Sequence, residues 1–280
     1  MTGINWADEV WNPVAGCTRV SAGCDNCYAA TMSRRLEAMG LPKYQGLAVR
    51  TEAGRDAFNG VIRCLPELLD KPFHWRKPRK IFVNSMSDLF HKGVPDEFID
   101  RVFSTMAICQ QHVFQVLTKR PERMLEYCRH FQALSLHLCE TDGKFLGDHE
   151  GHGGHLWEFG EELPRIPLPN VWLGTTVEDQ AAASGRIPLL LDTPAAVRWL
   201  SVEPLLGNIS YDFSGISWIV VGCESGHNRR PCRIEWVEGI VAQCQAANVP
   251  VWVKQLEIGG KVTGEVNAFP PHLRLREWPR

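Results

Sequence analysis

The 280-residue sequence predicts an α/β protein built on a parallel sheet covered by helices, in the form of a full or partial TIM-like barrel. Short apolar segments alternate with segments of helical periodicity, as in repeated βα units. The apolar segments lack polar alternation, which is typical of strands buried on both faces. A hydrophobic content of 44% and a charged content of 22% suffice for a packed core and argue against a disordered chain.

The predicted strands follow one another along the chain. An opening strand near residues 10–14 precedes six further apolar segments, at 80–84, 112–117, 171–175, 197–201, 218–222 and 249–254. Helices are predicted over 95–110, 178–191 and 234–247. The first of these begins with Pro95, followed by Asp96 and Glu97, and both features suit a first helical turn. About seven strands connected in this way fit a full or partial barrel.

One segment interrupts the alternation. Residues 132–170 contain glycine, histidine and acidic residues with little periodicity, and the stretch is too long for an ordinary connection. We therefore predict one domain, residues 1–280, with 132–170 inserted as a lid or flap. Residues 43–57 are predicted to form a shorter loop.

The bulk charge excludes few functions. A net charge of -2 and a pI near 6.6 give no global signal for nucleic acid, although one face can still be basic. No apolar run reaches the roughly 18 to 20 residues that cross a bilayer. The first residues lack the basic start and apolar stretch of a signal peptide. We expect a cytoplasmic protein without a membrane partner.

Three of the ten cysteines lie close together in the sequence. Cys17, Cys24 and Cys27 have the spacing Cys-x6-Cys-x2-Cys, whereas the other seven are scattered singly. Thiolates are the preferred ligands of iron–sulfur clusters, and Gly16 and Gly23 allow the loop to fold tightly around one. Three ligands leave one iron with an open position, which is typical of a catalytic centre.

Two other interpretations of the three cysteines stay open. A structural zinc site needs a fourth ligand, and the loop contains none. The tract with His149, His152 and His155 would have to supply that ligand from a distance. The three residues are otherwise free cysteines that happen to lie near one another.

Polar residues follow almost every predicted strand. In a parallel barrel, the carboxyl ends of the strands meet at one rim, where catalytic groups lie. The rim residues are Ser85, Ser87, Asp88, Thr118, Lys119, Arg120, Thr175, Thr176, Glu178, Ser201, Glu203, Glu224, Ser225, Lys254 and Gln255. Alternatively, such residues cap or charge helix N-termini, a role open to Asp88, Glu178 and Ser201.

The cysteine loop resembles the cluster-binding loop of radical S-adenosylmethionine enzymes. In that superfamily three cysteines hold a 4Fe-4S cluster, and the methionine part of S-adenosylmethionine chelates the open iron. An aromatic residue follows the last cysteine of the loop, and Tyr28 matches it. The commonest loop has three residues between the first two cysteines where this chain has six, and longer variants exist. The resemblance implies a TIM-like fold of the radical SAM type and generation of a 5′-deoxyadenosyl radical.

Along nearly its full length, the chain also resembles a phage-associated family with a three-Cys motif. The matching segments are WNPVAGC (11–17), FVNSMSDLFH (82–91), QVLTKRP (115–121), WLGTTVED (172–179), SVEPLL (201–206) and VGCESG (221–226). Members are often encoded beside a three-Cys-motif partner protein. The resemblance implies such a partner, an electron donor of the flavodoxin or ferredoxin type, and a nucleobase or nucleoside substrate in phage nucleic-acid modification.

By analogy with radical enzymes, the rim would hold the amino-acid part of S-adenosylmethionine. Ser85, Ser87 and Asp88 would meet its amino group. Lys119 or Arg120 would pair with its carboxylate, since a guanidinium can donate two hydrogen bonds to one carboxylate.

The same analogy assigns the nucleoside part of the cofactor. Glu203, or Thr175 and Thr176, would contact the ribose hydroxyls. The remaining members of the predicted cofactor-binding set are Tyr28, Ser201 and Glu224.

Three further features carry weaker signals, each with an ordinary structural alternative. The histidine tract with Cys139 is a candidate second metal site or a solvated loop. The basic stretch 74–80 and the cluster 228–230 with Arg233 are candidates for phosphate contact or solvated charge runs. Trp6, Trp11 and Trp157 either stack on a base or belong to the core. The competing class of function is therefore a non-catalytic, iron–sulfur or zinc-containing protein that interacts with nucleic acid.

Overall fold

A computed structural model describes residues 4–130, 167–226 and 228–280 of the chain. Most of the predicted insertion, residues 132–166, lies outside these ranges. So do Cys139, Trp157 and the three histidines of the tract, and the predictions made for them stay predictions.

The core is a curled sheet of seven parallel strands whose spatial order follows the chain. The strands are β1 (Glu9–Trp11), β2 (Lys80–Val83), β3 (Val113–Thr118), β4 (Val171–Thr176), β5 (Val197–Val202), β6 (Trp218–Val221) and β7 (Val251–Val253). The predicted α/β class and parallel sheet are confirmed. Strands β1 and β7 are the two edges of the sheet in the described part of the chain, so the sheet there is a half-barrel and not a full barrel.

Five α-helices accompany the sheet in the described residues. They are α1 (Tyr28–Ala38), α2 (Asp96–Ile108), α3 (Pro121–His130), α4 (Gln180–Asp192) and α5 (Ile234–Ala246). The helices α2, α4 and α5 match the three predicted helices to within two residues at each end. Helix α2 buries Phe98, Ile99, Val102, Phe103 and Met106, which is the i, i+3, i+4 stripe of a helix packed against a sheet.

The two faces of the sheet pack against different partners, because successive strand residues point to opposite faces. Ile81 and Val83 of β2 belong to the large core shared with the helices. Phe82, between them, faces the concave side and packs against tryptophans there. Trp6 inserts into this concave side, with ring centroids 4.9 Å from Phe82 and 5.3 Å from Trp199.

Tryptophans therefore close the amino-terminal end of the concave side. Trp199 and Trp218 are fully buried in this cluster, and Trp252 is nearly so. The prediction that Trp6 or Trp11 stacks on a ligand base is wrong for both, because their exposed fractions are 4% and 0%. Neither ring has an exposed face on which a base could stack.

Gly174 in β4 is required by the close approach of Trp199. A Cβ at position 174 would lie 2.5 to 2.7 Å from three atoms of the Trp199 indole. We expect Gly174→Ala to lower the free energy of unfolding by about 1–3 kcal/mol through overpacking, as measured by urea unfolding. Gly185→Ala is the matched control, since nothing lies within 4 Å of its Cβ position in α4. It should raise stability by about 0.5–1 kcal/mol, and an equally stable Gly174→Ala protein would contradict the packing argument.

The predicted loop at 43–57 is wrong in part. Ala48–Arg50 and Asp56–Phe58 form an antiparallel hairpin beside α1. Arg34 of α1 donates to Asp56 Oδ1 at 2.7 Å and helps to hold the hairpin in place. The sequence of the hairpin is polar and short, which is why it lacked a strand pattern.

The remaining regular elements are small. Two further antiparallel pairs join Val14–Ala15 to Arg63–Cys64 and Leu256–Ile258 to Lys261–Thr263. Short 3-10 helices span Ala22–Cys24, Pro42–Tyr44, Pro66–Leu68, Lys71–His74, Val266–Ala268 and Pro271–Leu273. Within the described ranges, every helix is too short or too polar to span a bilayer.

Candidate functional site

The cysteine loop, residues 16–27, lies at the carboxyl edge of the sheet. Gly16 pairs with Ser87, which follows β2, and Ser87 Oγ donates to the carbonyl of Val14 at 2.8 Å. Gly16 has a φ of 91°, and a Cβ there would fall 2.0 Å from the carbonyl oxygen of Val61. Only glycine fits this position, so the entry of the loop is determined by backbone geometry.

The three thiols of the loop are free and partly buried. Cys24 ends a 3-10 helix, and Cys27 is the N-cap of α1. Burial raises the pKa of Cys27, and the backbone N–H groups of Ala29 and Ala30 and the charge of Lys119 partly offset that rise. Burial and the nearby Asp88 raise the pKa of Cys17 to about 11, against the opposing effect of Arg120. The thiols of Cys17 and Cys27 are therefore protonated at neutral pH, and a bound metal centre would have to displace their protons.

The donor set is chemically suited to an iron–sulfur cluster. In the described ranges, no group of three His, Cys, Asp or Glu side chains converges to hold a metal ion. The loop offers three sulfur ligands, and sulfur is what iron–sulfur clusters require. Cations lie near two of these thiols: Arg120 Nη1 lies 3.7 Å from Cys17 Sγ, where Asp88 is also close, and Lys119 is close to Cys27. Cys27 also lies at the positive end of the α1 dipole. At Cys27 these groups would stabilise the negative charge of a thiolate ligand, whereas at Cys17 Asp88 opposes the effect of Arg120.

Asp88 and Arg120 clamp the first part of the loop. Arg120 Nη1 donates to Asp88 Oδ2 at 2.7 Å, and Nη2 donates to Thr18 Oγ1 at 2.8 Å and to the Thr18 carbonyl at 3.1 Å. Asp88 also accepts from Thr118 Oγ1 at 2.7 Å and from the backbone N–H of Lys119 at 3.1 Å. The ion pair therefore links the ends of β2 and β3 to the cysteine loop.

Glu224 and Arg230 hold the middle of the loop. Arg230 donates to the carbonyl of Ala22 at 2.9 Å, and Asn26 donates to Glu224 Oε2 at 2.9 Å. Arg230 and Glu224 form an ion pair with each other. Burial alone would raise the pKa of Glu224, but hydrogen bonds from Arg230 and Asn26 outweigh it and lower that pKa. Arg230, a candidate for phosphate contact by sequence, is thus committed to a carboxylate.

Glu178 supports the loop from a third side. A Cβ on Gly23 would lie 3.1 Å from the Glu178 carboxyl carbon, so glycine permits this approach. Glu178 is fully buried and pairs with Arg186 at 2.8 Å. The cap alternative fails for Glu178 and Asp88, because the N-caps of α4 and α2 are Asp179 and Pro95.

The mouth of the half-barrel lies beside Cys27. Tyr28 Oη donates to the carbonyl of Ser85 at 2.8 Å, while the residue keeps 51% of its surface exposed. Ser85 Oγ donates to Asn12 Oδ1 at 3.2 Å. Glu203, after β5, and Lys254, after β7, form an ion pair of 2.5 Å. A ligand seated here would meet an aromatic ring, hydroxyl and amide groups, and a charge pair.

Three predicted residues at the strand ends are buried in the sheet. Thr175 Oγ1 donates to the Thr118 carbonyl at 2.9 Å and so links β4 to β3. Thr176 and Ser201 are paired in register at the ends of β4 and β5. They lie at the predicted rim, and their assignment to ribose or cofactor contact stays a prediction.

A cavity of about 590 Å³ lies beside the cysteine loop. Its walls come from the loop, from the turn between β3 and α3, and from the start of α4, and they include Thr18, Arg19, Lys119 and Asp179. Lys119 is half-buried, and its ammonium has no hydrogen bond or ion pair among the residues that the structure describes. It is thus the cation of the predicted pair that is available to an anionic ligand.

Comparison with protein families gives a match over most of the chain. Residues 1–268 match a family described as "Protein of unknown function (DUF5131)". The chain belongs to the DUF5131 family. Neither the curated proteins nor the solved structures gave a match.

Several residues around the site of this DUF5131 protein were not predicted from its sequence. Thr18 and Asn26 hold the loop through contacts across long stretches of chain, and Arg186 pairs with Glu178, eight positions earlier, beside the loop. The sequence signal for these residues is the Cys-x6-Cys spacing, because a loop of that length needs side chains from other elements to hold it. Their identity depends on which elements meet in space.

Proposed function

We propose that this DUF5131 protein is a radical S-adenosylmethionine enzyme with Cys17, Cys24 and Cys27 as ligands of a 4Fe-4S cluster. The observation that carries the proposal is the position of the loop: three thiols lie over the carboxyl edge of a parallel half-barrel, with Arg120 beside Cys17 and Lys119 near Cys27. When bound, such a cluster supplies one electron that splits S-adenosylmethionine into methionine and a 5′-deoxyadenosyl radical.

The residues of the chain would bind and orient the cofactor. Lys119 would receive the carboxylate of the methionine part, because its ammonium is free and faces the cavity. Arg120 and Asp88 would position the loop, since their polar atoms are engaged with it and with each other. Tyr28 and Glu203 would contact the nucleoside part at the mouth of the half-barrel. The buried tryptophans would exclude water from the amino-terminal end of the concave side.

The substrate, the reductant and the partner are proposed from the resemblance. We propose a nucleobase or nucleoside substrate in phage nucleic-acid modification, and reduction by a flavodoxin- or ferredoxin-type protein. A three-Cys-motif partner protein is proposed to interact with this chain. The nine described cysteines are free thiols, in keeping with a reducing cytoplasm.

Release of 5′-deoxyadenosine tests the proposal directly. Anaerobically reconstituted protein, given dithionite and S-adenosylmethionine, should release 5′-deoxyadenosine and methionine in equal amounts, measured by liquid chromatography. Cys24→Ala treated in the same way should release neither, because the cluster would lack a ligand. Absence of both products from iron-loaded native protein would reject the enzyme proposal.

The second candidate is a non-catalytic, metal-containing protein that interacts with nucleic acid. One observation favours it: a basic surface lies on the edge of the sheet opposite the cysteine loop. Iron-loaded protein that binds nucleic acid and cleaves no S-adenosylmethionine would support this candidate.

A further inference from the structure

Two basic segments lie together at the amino-terminal edge of the sheet. Residues 71–80 include five lysines or arginines and no acidic residue. β2 begins at Lys80 and runs toward Ser87, which contacts the cysteine loop, so Lys80 lies at the edge opposite the loop. The second segment, residues 274–280, runs antiparallel beside β7, with Leu275 opposite Val253 and Glu277 opposite Val251, so that its last residues, from Trp278, reach the same edge as Lys80.

Aromatic rings hold several of these cations in place. Lys71 Nζ and the Arg79 guanidinium lie 5.2 and 5.7 Å from the centre of the Trp75 ring. Lys80 Nζ lies 4.3 Å from the centre of the Trp278 ring, and this contact joins the two segments. A cation fixed over a ring loses less conformational freedom when it binds an anion.

The acidic residues nearby neutralise only part of this charge. Glu9 pairs with Arg79 at 2.6 Å, Asp70 lies 3.3 Å from His74 Nε2, and Asp8 Oδ2 accepts from the backbone N–H of Lys80 at 2.7 Å. Glu277 is the one acidic residue of the second segment. Arg76 and Lys77 are exposed and have no hydrogen bond or ion pair within the described ranges. The whole chain has a net charge of -2, so this excess is local.

The surface lacks the apolar anchors of a protein interface. The exposed large hydrophobic residues of the described chain are Val20, Tyr28, Met32, Met39, Val49, Val61 and Ile258. None of them falls in either basic segment, whereas protein interfaces depend on apolar and aromatic hot spots. Trp75 and Trp278 are only partly exposed and each has a cation over its ring, so cations dominate the surface. A row of cations without a fully exposed apolar centre suits a repeating polyanion better.

We propose that Lys71, Arg76, Lys77 and Lys80, here called the basic face, bind the phosphodiester backbone of nucleic acid without reading its sequence. A cation lies over the ring of Trp75 and another over the ring of Trp278, so these rings position cations and do not stack on bases. The basic face is separate from the cysteine loop, so binding is independent of the cluster. Its role is to hold a nucleic acid on the protein.

Fluorescence anisotropy with labelled DNA and RNA of about 30 nucleotides, single-stranded and duplex, tests this proposal. The native protein should bind all four probes, with affinity that falls as salt rises. R76E/K77E should weaken binding by about tenfold or more at about 0.1 M salt and reduce the salt slope by about 0.9 per lost duplex phosphate contact. K92E/K261E is the control, because both of its lysines are exposed outside the basic face and the change in net charge is the same.

Each result of the binding experiment either supports or overturns the proposed role of the basic face. Loss of binding in R76E/K77E alone, with unchanged thermal melting and unchanged visible absorbance, supports the basic face. Equal loss in both double variants, or binding that does not depend on salt, overturns it. Retention of the native protein on immobilised polyglutamate, together with no binding to any of the four probes, would assign the face to an acidic protein and overturn it as well. If R76E/K77E fails to fold, the single variants Arg76→Ala and Lys77→Ala repeat the comparison at exposed positions.

Discussion

Replacing Cys17, Cys24 or Cys27 by alanine is expected to abolish the brown absorbance and the iron of anaerobically purified protein. The native chain should contain about four iron and four sulfide ions, as a cysteine-ligated cubane requires. Each of the three thiols lies on the loop that crosses the carboxyl edge of the sheet. Loss of one would leave two ligands, too few to retain the cluster.

Two controls define this result. Cys64→Ala is matched for exposure, because Cys64 is also partly buried and lies in the short strand Arg63–Cys64. Cys244→Ala changes a fully buried thiol in α5. Both should keep the chromophore. Equal loss in the controls, or stoichiometric zinc without iron in protein kept from air, would reject the cluster.

The strands were predictable because of how they are buried. Strands β2 to β7 are covered on both faces, which requires the continuous apolar segments that the sequence contains. Their ends differ from the prediction by two residues at most, since frayed ends depend on neighbouring strands. Helix α1 was missed because its buried residues are Ala29, Ala30 and Ser33, which give no apolar stripe.

The site was predictable only where its signal is local. Cys17, Cys24 and Cys27 are recognisable because they are neighbours in sequence. Asp88 and Arg120 were placed at the rim by their position after two strands, but the sequence does not reveal that they bind each other 32 positions apart. Which atoms remain free for a ligand depends on such pairings.

The contacts of Arg120 make it a positioning residue, with a larger expected effect than that of Lys119. Arg120→Ala removes the bonds to Asp88 and Thr18 and leaves a buried carboxylate without its cation. Breaking a buried pair by removing one partner costs about 3–5 kcal/mol. We expect a lower melting temperature and less iron per chain. Arg120→Lys should restore part of both, because the charge opposite Asp88 returns while the two-pronged contact with Thr18 does not.

Lys119→Ala is expected to give the opposite result. Its side chain has no hydrogen bond or ion pair among the described residues, so the melting temperature and iron content should stay close to native. Calorimetric titration of the reconstituted variant should show S-adenosylmethionine binding weakened by about 1–3 kcal/mol, the usual cost of a lost charge-assisted hydrogen bond. The reverse pattern, with native iron and weakened binding in Arg120→Ala and native binding in Lys119→Ala, would exchange the two roles. In that case Arg120 would leave Asp88 to bind the carboxylate, because its guanidinium is the other cation beside the cysteine loop.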